Sequence, residues 1–283
     1  MPQPIGPVKI STGLADIAKK NDSDARITEA EAHIPPTRKL RRRAIETIAP
    51  ATQGDQHMIV IAWDYDDTLA DWRGAFRDWM ATTGRPPAIP IEESVTFSLE
   101  DVWPRMPKDE LRRKLIEFNL SSAFSDIPTF PGAKEAVAAL TSVNGVPVKS
   151  VAITAPGDDP SIVAARRAQL RPFKFHGHDI LPGGVSKVQS LLGFDAALLI
   201  DDSPKALGDA IAAGIPVLIK DAPYNAGIPG PRIRDWRNDF HALEKAVGAA
   251  IDGRRRQEIV RRPSESRGTF GILSGFLRPA FRL

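Results

Sequence analysis

A short apolar run that ends in a polar or acidic cluster occurs four times in this chain, and this repeated pattern limits the fold more than any other feature. The runs are rich in Val, Ile, Leu and Ala, as buried parallel strands are. Helical stretches separate the later runs. Strands that alternate with helices are typical of an α/β fold, so we predict a doubly wound, Rossmann-like parallel sheet. The runs occupy 58–63, 148–154, 196–200 and 216–220, and the predicted helices occupy 132–142, 160–170, 186–192 and 204–213.

Residues 70–128 interrupt this alternation. The block is mostly helical in character and rich in Trp and Phe. Because it directly follows the first strand and its acidic loop, we predict a small, mainly helical cap that covers the site. Aromatic side chains bury well, so most of these rings are expected to form the core of the cap itself.

Charge divides the chain into three parts. Residues 58–252 carry 21 basic and 26 acidic side chains, whereas residues 253–283 carry eight arginines and two glutamates. We predict one folded domain over 58–252, a flexible polar and basic N-terminal extension over 1–57, and a basic, partly apolar C-terminal tail over 253–283. A nucleic-acid-binding fold would carry its basic charge on the folded domain, and this one does not.

The chain contains no cysteine, which excludes disulfides, thiolate metal sites and cysteine nucleophiles. This composition fits a reducing compartment. No run approaches the roughly 20 apolar residues of a membrane-spanning helix. The N-terminus lacks the uninterrupted apolar segment of a secretory signal. We therefore expect a cytoplasmic protein.

The first apolar run leads directly into the acidic motif Asp64-Tyr65-Asp66-Asp67-Thr68. Asp64 and Asp66 are two residues apart, so in extended backbone their side chains share a face. Two carboxylates this close repel each other, and a divalent cation relieves the repulsion. Carboxylate oxygens suit Mg²⁺. An Asx turn that closes a strand is the alternative interpretation of the motif alone.

Three further features follow later strands. Thr154 ends the second run, Lys187 lies just inside a predicted helix, and Asp201 and Asp202 follow the third run. A threonine hydroxyl and a lysine ammonium can both bind phosphate oxygens. The carboxylates offer a metal ligand and an acceptor for the lysine. Ligands of such sheets bind beyond the carboxyl ends of the strands, so we expect these groups to lie together there.

In this order, the residues resemble motifs one to four of the haloacid dehalogenase-like (HAD) phosphohydrolases, over about residues 58–245. The resemblance implies that Asp64 attacks phosphorus and forms an aspartyl-phosphate. It implies that Asp66 protonates the leaving oxygen and then activates the hydrolytic water. It also implies a Mg²⁺ ion that is held by Asp64, the main-chain carbonyl of Asp66, and Asp201.

The same resemblance assigns roles to the remaining polar residues. Thr154 and Lys187 would bind the phosphoryl oxygens, and Asp202 would orient Lys187. The activity it implies is the hydrolysis of a small phosphomonoester.

Four segments further resemble the 5'(3')-deoxyribonucleotidases, namely 64–72, 124–140, 198–207 and 221–243. In the last of these, an asparagine precedes a Pro-Arg element and the pair Asp235-Trp236. One departure is Ala155, which stands where that family usually has a serine. A nucleoside monophosphate, and most of all a deoxynucleotide, is the substrate this resemblance implies.

A nucleotide site needs an aromatic surface for the base, since stacking on an aromatic ring contributes about 1–3 kcal/mol. Phe124 is the first candidate, because the resemblance places an aromatic residue there beside the base. The other candidate rings are Trp72, Phe76, Phe97 and Trp103.

Two alternatives involve the terminal segments. In the first, the basic tails hold a polynucleotide, and the enzyme is a phosphatase of nucleic-acid ends. In the second, residues 268–283, which are apolar, glycine-spaced and basic, dock the phosphatase domain on a partner protein or a membrane surface. The sequence leaves the base and sugar preference and the oligomeric state open.

Overall fold

A computed structural model describes residues 58–261 of the 283-residue chain. The predicted N-terminal extension lies outside the described residues, as does most of the predicted C-terminal tail. The strands are β1 (Ile59–Trp63), β2 (Ser142–Val143), β3 (Val146–Thr154), β4 (Gly177–Ile180), β5 (Ala196–Asp201), β6 (Val217–Lys220) and β7 (Arg232–Ile233). The α-helices are α1 (Trp72–Thr82), α2 (Lys108–Asn119), α3 (Ser122–Ser125), α4 (Ala133–Ala139), α5 (Pro160–Leu170), α6 (Val188–Gly193), α7 (Pro204–Ala212) and α8 (Phe240–Arg261).

The strands of residues 58–261 form one seven-stranded sheet. In it β3, β1, β5, β6 and β7 lie side by side in that order. These neighbours pair in parallel, and β4 adds in parallel to the outer side of β3. The short β2 pairs antiparallel with the start of β3. The four predicted strands are β1, β3, β5 and β6, so the prediction of a doubly wound parallel sheet is confirmed.

Apolar side chains cover both faces of the sheet because successive strand residues point to opposite sides. Ile61 and Ile200 pack in one cluster with residues of α4 and α8. Ala62 and Leu199 pack in a second cluster with residues of α6 and α7. This two-sided burial explains why the strands read as continuous apolar runs.

Local signals set the helix boundaries in the core. Helix α5 begins at Pro160. Its N-cap is Asp159, whose side chain accepts a hydrogen bond from the Ser161 amide. Helix α7 begins at Pro204 after the N-cap Ser203. Proline at the first helical position loses no hydrogen bond, and Asp and Ser are favoured N-caps. For this reason both helices begin where the sequence predicts.

The predicted cap follows β1 and consists of α1, a 3₁₀ turn at Ile91–Glu93, α2 and α3. Its core is aromatic: Phe76 stacks on Trp72 with ring centroids 5.3 Å apart and meets Phe118 edge-on at 5.5 Å. Trp103 lies 5.3 Å from Phe76, and Phe124 packs against Phe118 at 6.2 Å. Most of the cap aromatics therefore hold the cap together, as the composition predicts.

At the C-terminal side the structure differs from the predicted domain boundary. Helix α8 continues through residues 253–261, nine residues into the segment that the sequence analysis assigned to the tail. Arg254 in this part of the helix donates hydrogen bonds to the side chain and carbonyl of Asp195, which anchors the helix to the core. Over residues 58–261, no helix combines the length and apolar character needed to cross a membrane.

Candidate active site

The predicted site residues Asp64, Thr154 and Asp201 stand at the carboxyl ends of three adjacent parallel strands. Asp64 directly follows β1, while Thr154 and Asp201 are the last residues of β3 and β5. Trp63 of β1 pairs with Ala152 on one side and with Ile200 on the other, so the strands end at nearly the same level. Sheet topology thus brings together residues that lie up to 137 positions apart in the sequence.

Lys187 joins two of these strand ends. Its Nζ lies 2.7 Å from Asp64 Oδ1 and 2.7 Å from Asp201 Oδ2. Burial disfavours the ammonium, but the carboxylates of Asp201 and Asp64 outweigh it and raise the pKa of Lys187. The lysine is therefore a fixed positive charge beside Asp64. Asp64 and Asp201 are the aspartates that Lys187 contacts, whereas the predicted partner Asp202 makes no ion pair with it.

Asp202 points to a different set of partners. Its Oδ1 accepts a hydrogen bond of 2.9 Å from the hydroxyl of Thr68, the last residue of the acidic motif. Its Oδ2 accepts one of 2.8 Å from the Tyr224 hydroxyl, and its main-chain carbonyl accepts one from Asn225. Asp202 thus fastens the acidic loop after β1 to the loops that follow β5 and β6.

Three buried carboxylates, those of Asp64, Asp201 and Asp202, form a cluster with one oxygen from each within 4.8 Å of the others. Burial and the neighbouring negative charges raise the pKa values of Asp201 and Asp202 above the ordinary range. The cluster holds more negative charge than the single ammonium of Lys187 balances. Such a donor set of hard oxygens fits a Mg²⁺ ion, which prefers carboxylate ligands. Of the predicted ligands, Asp64 and Asp201 belong to this cluster, Asp202 joins them, and the carboxylate of Asp66 lies outside it.

The carboxylate of Asp66 is bound by an arginine that no sequence motif indicates. Nη2 of Arg166, on α5, donates to both oxygens of Asp66 at 2.6 and 2.8 Å. Burial raises the pKa of Asp66 above its ordinary value, and the guanidinium of Arg166 opposes the shift. Because the two residues are 100 positions apart, no local spacing signal links them.

The hydroxyl of Thr154 is buried and has no hydrogen-bond partner among the described residues. Leaving a buried hydroxyl without a partner costs free energy, about 1–3 kcal/mol in mutational data. An unpartnered donor at the strand end next to Asp64 is the arrangement expected of a group that binds a ligand oxygen. Because Thr154 is fully buried, its role in phosphate binding stays a prediction.

The acidic loop turns sharply at Asp67, which adopts a left-handed conformation with φ of 53°. Asp is one of the residue types that tolerate this conformation. Its Oδ1 accepts a hydrogen bond from the main-chain amide of Arg73 at the start of the cap. The guanidinium of Arg73 donates to the carbonyls of Thr96 and Phe97 and lies 4.0 Å above the Tyr224 ring. Arg73 therefore ties the cap loop around Phe97 to the core.

A pocket of about 550 Å³ opens between the cap and the carboxyl ends of the strands. Asp64, Asp66, Lys187 and Asp202 form its polar floor. Its walls come from the cap, from the loop after β3 and from the loop before α6. The walls include Trp72, Phe97, Leu99, Leu115, Asn119 and Pro156.

The predicted substrate-binding aromatics divide into two groups. Trp72 lines the pocket, whereas Phe76, Trp103 and Phe124 are buried in the cap at 0%, 5% and 0% exposure and do not line it. These three rings pack against other aromatic rings of the cap, so their surfaces do not face the pocket, and their contact with a substrate stays a prediction. Phe97, which is 50% exposed, lines the pocket together with Trp72.

The C-terminal segment that contains Asp235-Trp236 supports the acidic loop from behind. Trp236 packs against Trp63 with ring centroids 5.6 Å apart, and its Nε1 donates to the carbonyl of Thr68 at 2.9 Å. Nearby, Asn225 donates to the carbonyls of Asp202 and Lys220, and Arg232 donates to the side chain of Asn225. The Asn and Pro-Arg elements seen in the sequence thus position the loop that carries Asp202.

No protein-family model matches the chain. No curated protein matches it either. Solved structures that resemble it include a HAD-superfamily hydrolase of subfamily IA from Geobacter sulfurreducens, at 19% identity, with a TM-score of 0.44 and coverage of 66% of this chain and 97% of that one. A haloacid dehalogenase-like hydrolase from Xanthomonas campestris has 19% identity, a TM-score of 0.44, and coverage of 73% and 97%. At these values, an activity has to be inferred from the residues of this chain itself.

Proposed function

We propose that this protein is a HAD-type, Mg²⁺-dependent phosphomonoester hydrolase that forms an aspartyl-phosphate on Asp64. The observation that carries the proposal is the contact between Asp64 and Lys187 on the floor of a pocket that a cap covers. A carboxylate can act as a nucleophile that splits hydrolysis into two easier steps. A fixed cation beside it stabilises the charge of the phosphoryl group during transfer.

In the first step, an oxygen of Asp64 attacks phosphorus as the bond from phosphorus to the leaving oxygen breaks. The leaving oxygen takes a proton from Asp66, whose carboxyl lines the same pocket. In the second step, Asp66 accepts a proton from a water molecule that attacks the aspartyl-phosphate, which releases phosphate and restores Asp64. Burial of Asp66 raises its pKa, which favours a proton donor at this position.

Lys187 and Thr154 would bind the phosphoryl oxygens. Lys187 already contacts Asp64, and the unpartnered hydroxyl of Thr154 gains a partner when an oxygen arrives. Asp64, Asp201 and Asp202 would hold Mg²⁺, together with the main-chain carbonyl of Asp66 that the family resemblance implies. When bound, Mg²⁺ neutralises part of the charge that accumulates on the carboxylates and on the transferred group.

We further propose a nucleoside monophosphate as the substrate, with a deoxynucleotide preferred. Support comes from the pocket walls: Trp72 and Phe97 present aromatic surface beside the polar floor. Asn119 holds this wall in place, since it accepts a hydrogen bond from Trp72 Nε1 and donates to the carbonyl of Pro156. A base that stacks on an aromatic ring gains about 1–3 kcal/mol, which suits this combination of apolar wall and anionic-group site.

Phosphate release from a panel of nucleoside monophosphates, with and without Mg²⁺, tests the proposal. We expect the wild-type protein to hydrolyse members of the panel and to lose this activity on metal removal. Asp64→Asn should lower kcat by more than about 10³-fold, because an amide is a poor nucleophile. Thermal unfolding of Asp64→Asn should show that the variant is folded. Full activity in this variant would contradict the mechanism, and hydrolysis only of other phosphomonoesters would contradict the nucleotide assignment.

The two alternatives that involve the terminal segments stay predictions, since those segments lie outside residues 58–261. Because α8 extends to Arg261, a truncated chain that tests them should end after residue 261 and begin at residue 58. A nucleic-acid-end phosphatase would lose turnover on polynucleotide ends in this truncated chain and would never hydrolyse dTMP or dUMP. Docking through residues 268–283 would appear as a loss of liposome or partner binding.

A further inference from the structure

Arg166 is a fully buried charged side chain beside the pocket, with 0% exposure. Arginine is almost never fully buried unless it is paired. Here the pairing partner is Asp66, which binds Nη2 with both of its oxygens. Arg166 itself is not among the residues that line the pocket, whereas Asp66 is. The guanidinium therefore contacts Asp66 from behind and leaves the pocket side of the carboxyl free.

Two aromatic rings hold the guanidinium in place. Its Cζ lies 4.2 Å from the ring centre of Tyr65 and 5.1 Å from that of Phe124. Arg166 and Phe124 are further connected through helix α5, since Gln169 of this helix donates a hydrogen bond to the Phe124 carbonyl. The position of Arg166 is thus set jointly by the acidic loop and by the last helix of the cap.

A purely stabilising role does not account for this arrangement. Nε and Nη1 of Arg166 have no hydrogen-bond partner among the described residues, although both are buried. Burying an arginine with unpartnered nitrogens carries a desolvation penalty that a single ion pair offsets poorly. An apolar side chain of similar volume between Tyr65 and Phe124 would avoid that penalty. Such an apolar side chain could not hold the carboxyl of Asp66 in one orientation.

We propose that Arg166 is a positioning residue that fixes the carboxyl of Asp66 for proton transfer to the leaving oxygen. This inference rests on the proposed function, since it concerns the proton-transfer step of that reaction. A general acid acts only when it lies within hydrogen-bond reach of the atom it protonates. Asp66 stands between Asp64 and Asp67 in the chain, and repulsion among these carboxylates would otherwise displace its side chain. Through Phe124, the same contact makes the orientation of Asp66 depend on the packing of the cap.

The test compares leaving groups that need a proton with ones that do not. The alkyl oxygen of a nucleotide such as dTMP needs protonation as it departs, whereas p-nitrophenolate departs as a stable anion. The first step would be isolated as release of the leaving group in a single turnover with enzyme in excess, because the second step uses Asp66 whichever group has left. Its rate would be measured for wild type, Arg166→Met, Arg166→Lys and Asp66→Asn on both kinds of substrate. Arg167→Met is the matched control, because Arg167 is the next residue on α5 and is exposed.

We expect Arg166→Met to lower the rate of the first step on the best alkyl phosphate by about 10- to 100-fold, at or below the roughly 10²- to 10⁴-fold that a proton donor contributes, because Asp66 itself remains. On p-nitrophenyl phosphate the loss should be less than about threefold, and KM should stay nearly constant for both substrates, because Arg166 does not touch the pocket. Asp66→Asn should show the same dependence on the leaving group. Adding Arg166→Met to Asp66→Asn should cost nothing more, as for residues that act as a unit.

Arg166→Lys keeps the positive charge but loses the planar group that contacts Tyr65 and Phe124. We therefore expect a loss of rate smaller than that of Arg166→Met but larger than none. If Arg166→Met does not fold, Arg166→Lys carries the same comparison. Equal losses of first-step rate on the two substrates, or additive losses in the double variant, would overturn the positioning role while the proposed function stands. A wild-type protein that releases phosphate from neither kind of substrate would overturn the proposed function, and this inference with it.

Discussion

The carboxyl edge of the sheet and the cap above it use the same kinds of side chain in opposite ways. At the sheet edge, burial and neighbouring carboxylates raise the pKa values of Asp201 and Asp202. In the cap loop, burial alone would raise the pKa of Asp101, but hydrogen bonds from Thr96, Ser94 and two main-chain amides outweigh it and lower the pKa to about 2.

The difference reflects what each region has to do. The sheet edge concentrates negative charge with too few donors, which prepares it for a cation and an incoming anion. In the cap loop, hydrogen bonds satisfy the carboxylate of Asp101. This carboxylate therefore serves to hold the loop that carries Phe97. A comparison of the two regions therefore separates groups that serve a ligand from groups that serve the fold.

The largest stability effect is expected at the sheet edge. Lys187→Met would leave Asp64 and Asp201 buried without their cation, and removal of one partner from a buried ion pair costs about 3–5 kcal/mol. Chemical denaturation without Mg²⁺ measures this change. Lys205→Met is the control, because Lys205 lines the same pocket but pairs with Asp209 at the surface, where ion pairs contribute about 0–1 kcal/mol. Equal stability of the two variants would show that the carboxylate cluster does not depend on Lys187.

A pair of aromatic substitutions sharpens the comparison within the cap. Phe76→Ala removes a fully buried ring from the cap core and should lower the free energy of unfolding by about 3–5 kcal/mol. Phe97→Ala removes a half-exposed ring and should change stability by less than about 1 kcal/mol.

In stability Phe76→Ala should have the larger effect, but in kinetics Phe97→Ala should have the larger effect. If the base stacks on Phe97, Phe97→Ala should raise KM for a nucleotide by roughly 5- to 150-fold, the equivalent of about 1–3 kcal/mol of stacking. The KM for p-nitrophenyl phosphate serves as the control and should respond less, since its single ring offers less surface than a nucleoside. An unchanged KM for nucleotides in Phe97→Ala would remove Phe97 from the substrate site.

A further effect is a pH dependence of stability that comes from Asp101. Its lowered pKa means that folding favours the carboxylate, so its contribution is fully present above about pH 4, the pKa expected in the unfolded chain. That contribution, about 2 kcal/mol, should disappear as pH falls from about 4 to about 2. The difference in unfolding free energy between wild type and Asp101→Asn, measured against pH, should therefore be large near neutral pH and vanish in acid. A difference that is independent of pH would contradict the assigned hydrogen bonds.

Much of the fold could be predicted because its signals are local. An apolar run that ends in acidic residues marks a parallel strand, and Pro160 and Pro204 mark the starts of α5 and α7. Strand β4, with the sequence GHDI, escaped prediction because it is short and not apolar. Strand β7 escaped because two residues carry no periodic signal.

Predictions about the orientation of side chains were less successful. Asp201 and Asp202 are neighbours of one type, and the sequence offered no way to decide which of them meets Lys187. Successive residues at the end of a strand point to opposite sides, so only the placement of β5 relative to α6 and Tyr224 decided the outcome. Phe97 and Phe124 present the same difficulty, since exposure depends on what packs around each ring.

By itself, the sequence determined which residues stand at the carboxyl ends of the strands, because strand and helix periodicity is a local property of the chain. Asp64, Thr154 and Asp201 follow from it. The tertiary structure alone decided which side chains those residues meet: Lys187 with Asp201, Asp202 with Thr68 and Tyr224, and Asp66 with Arg166. Such contacts join residues far apart in the chain, and their geometry comes from the packing of whole elements.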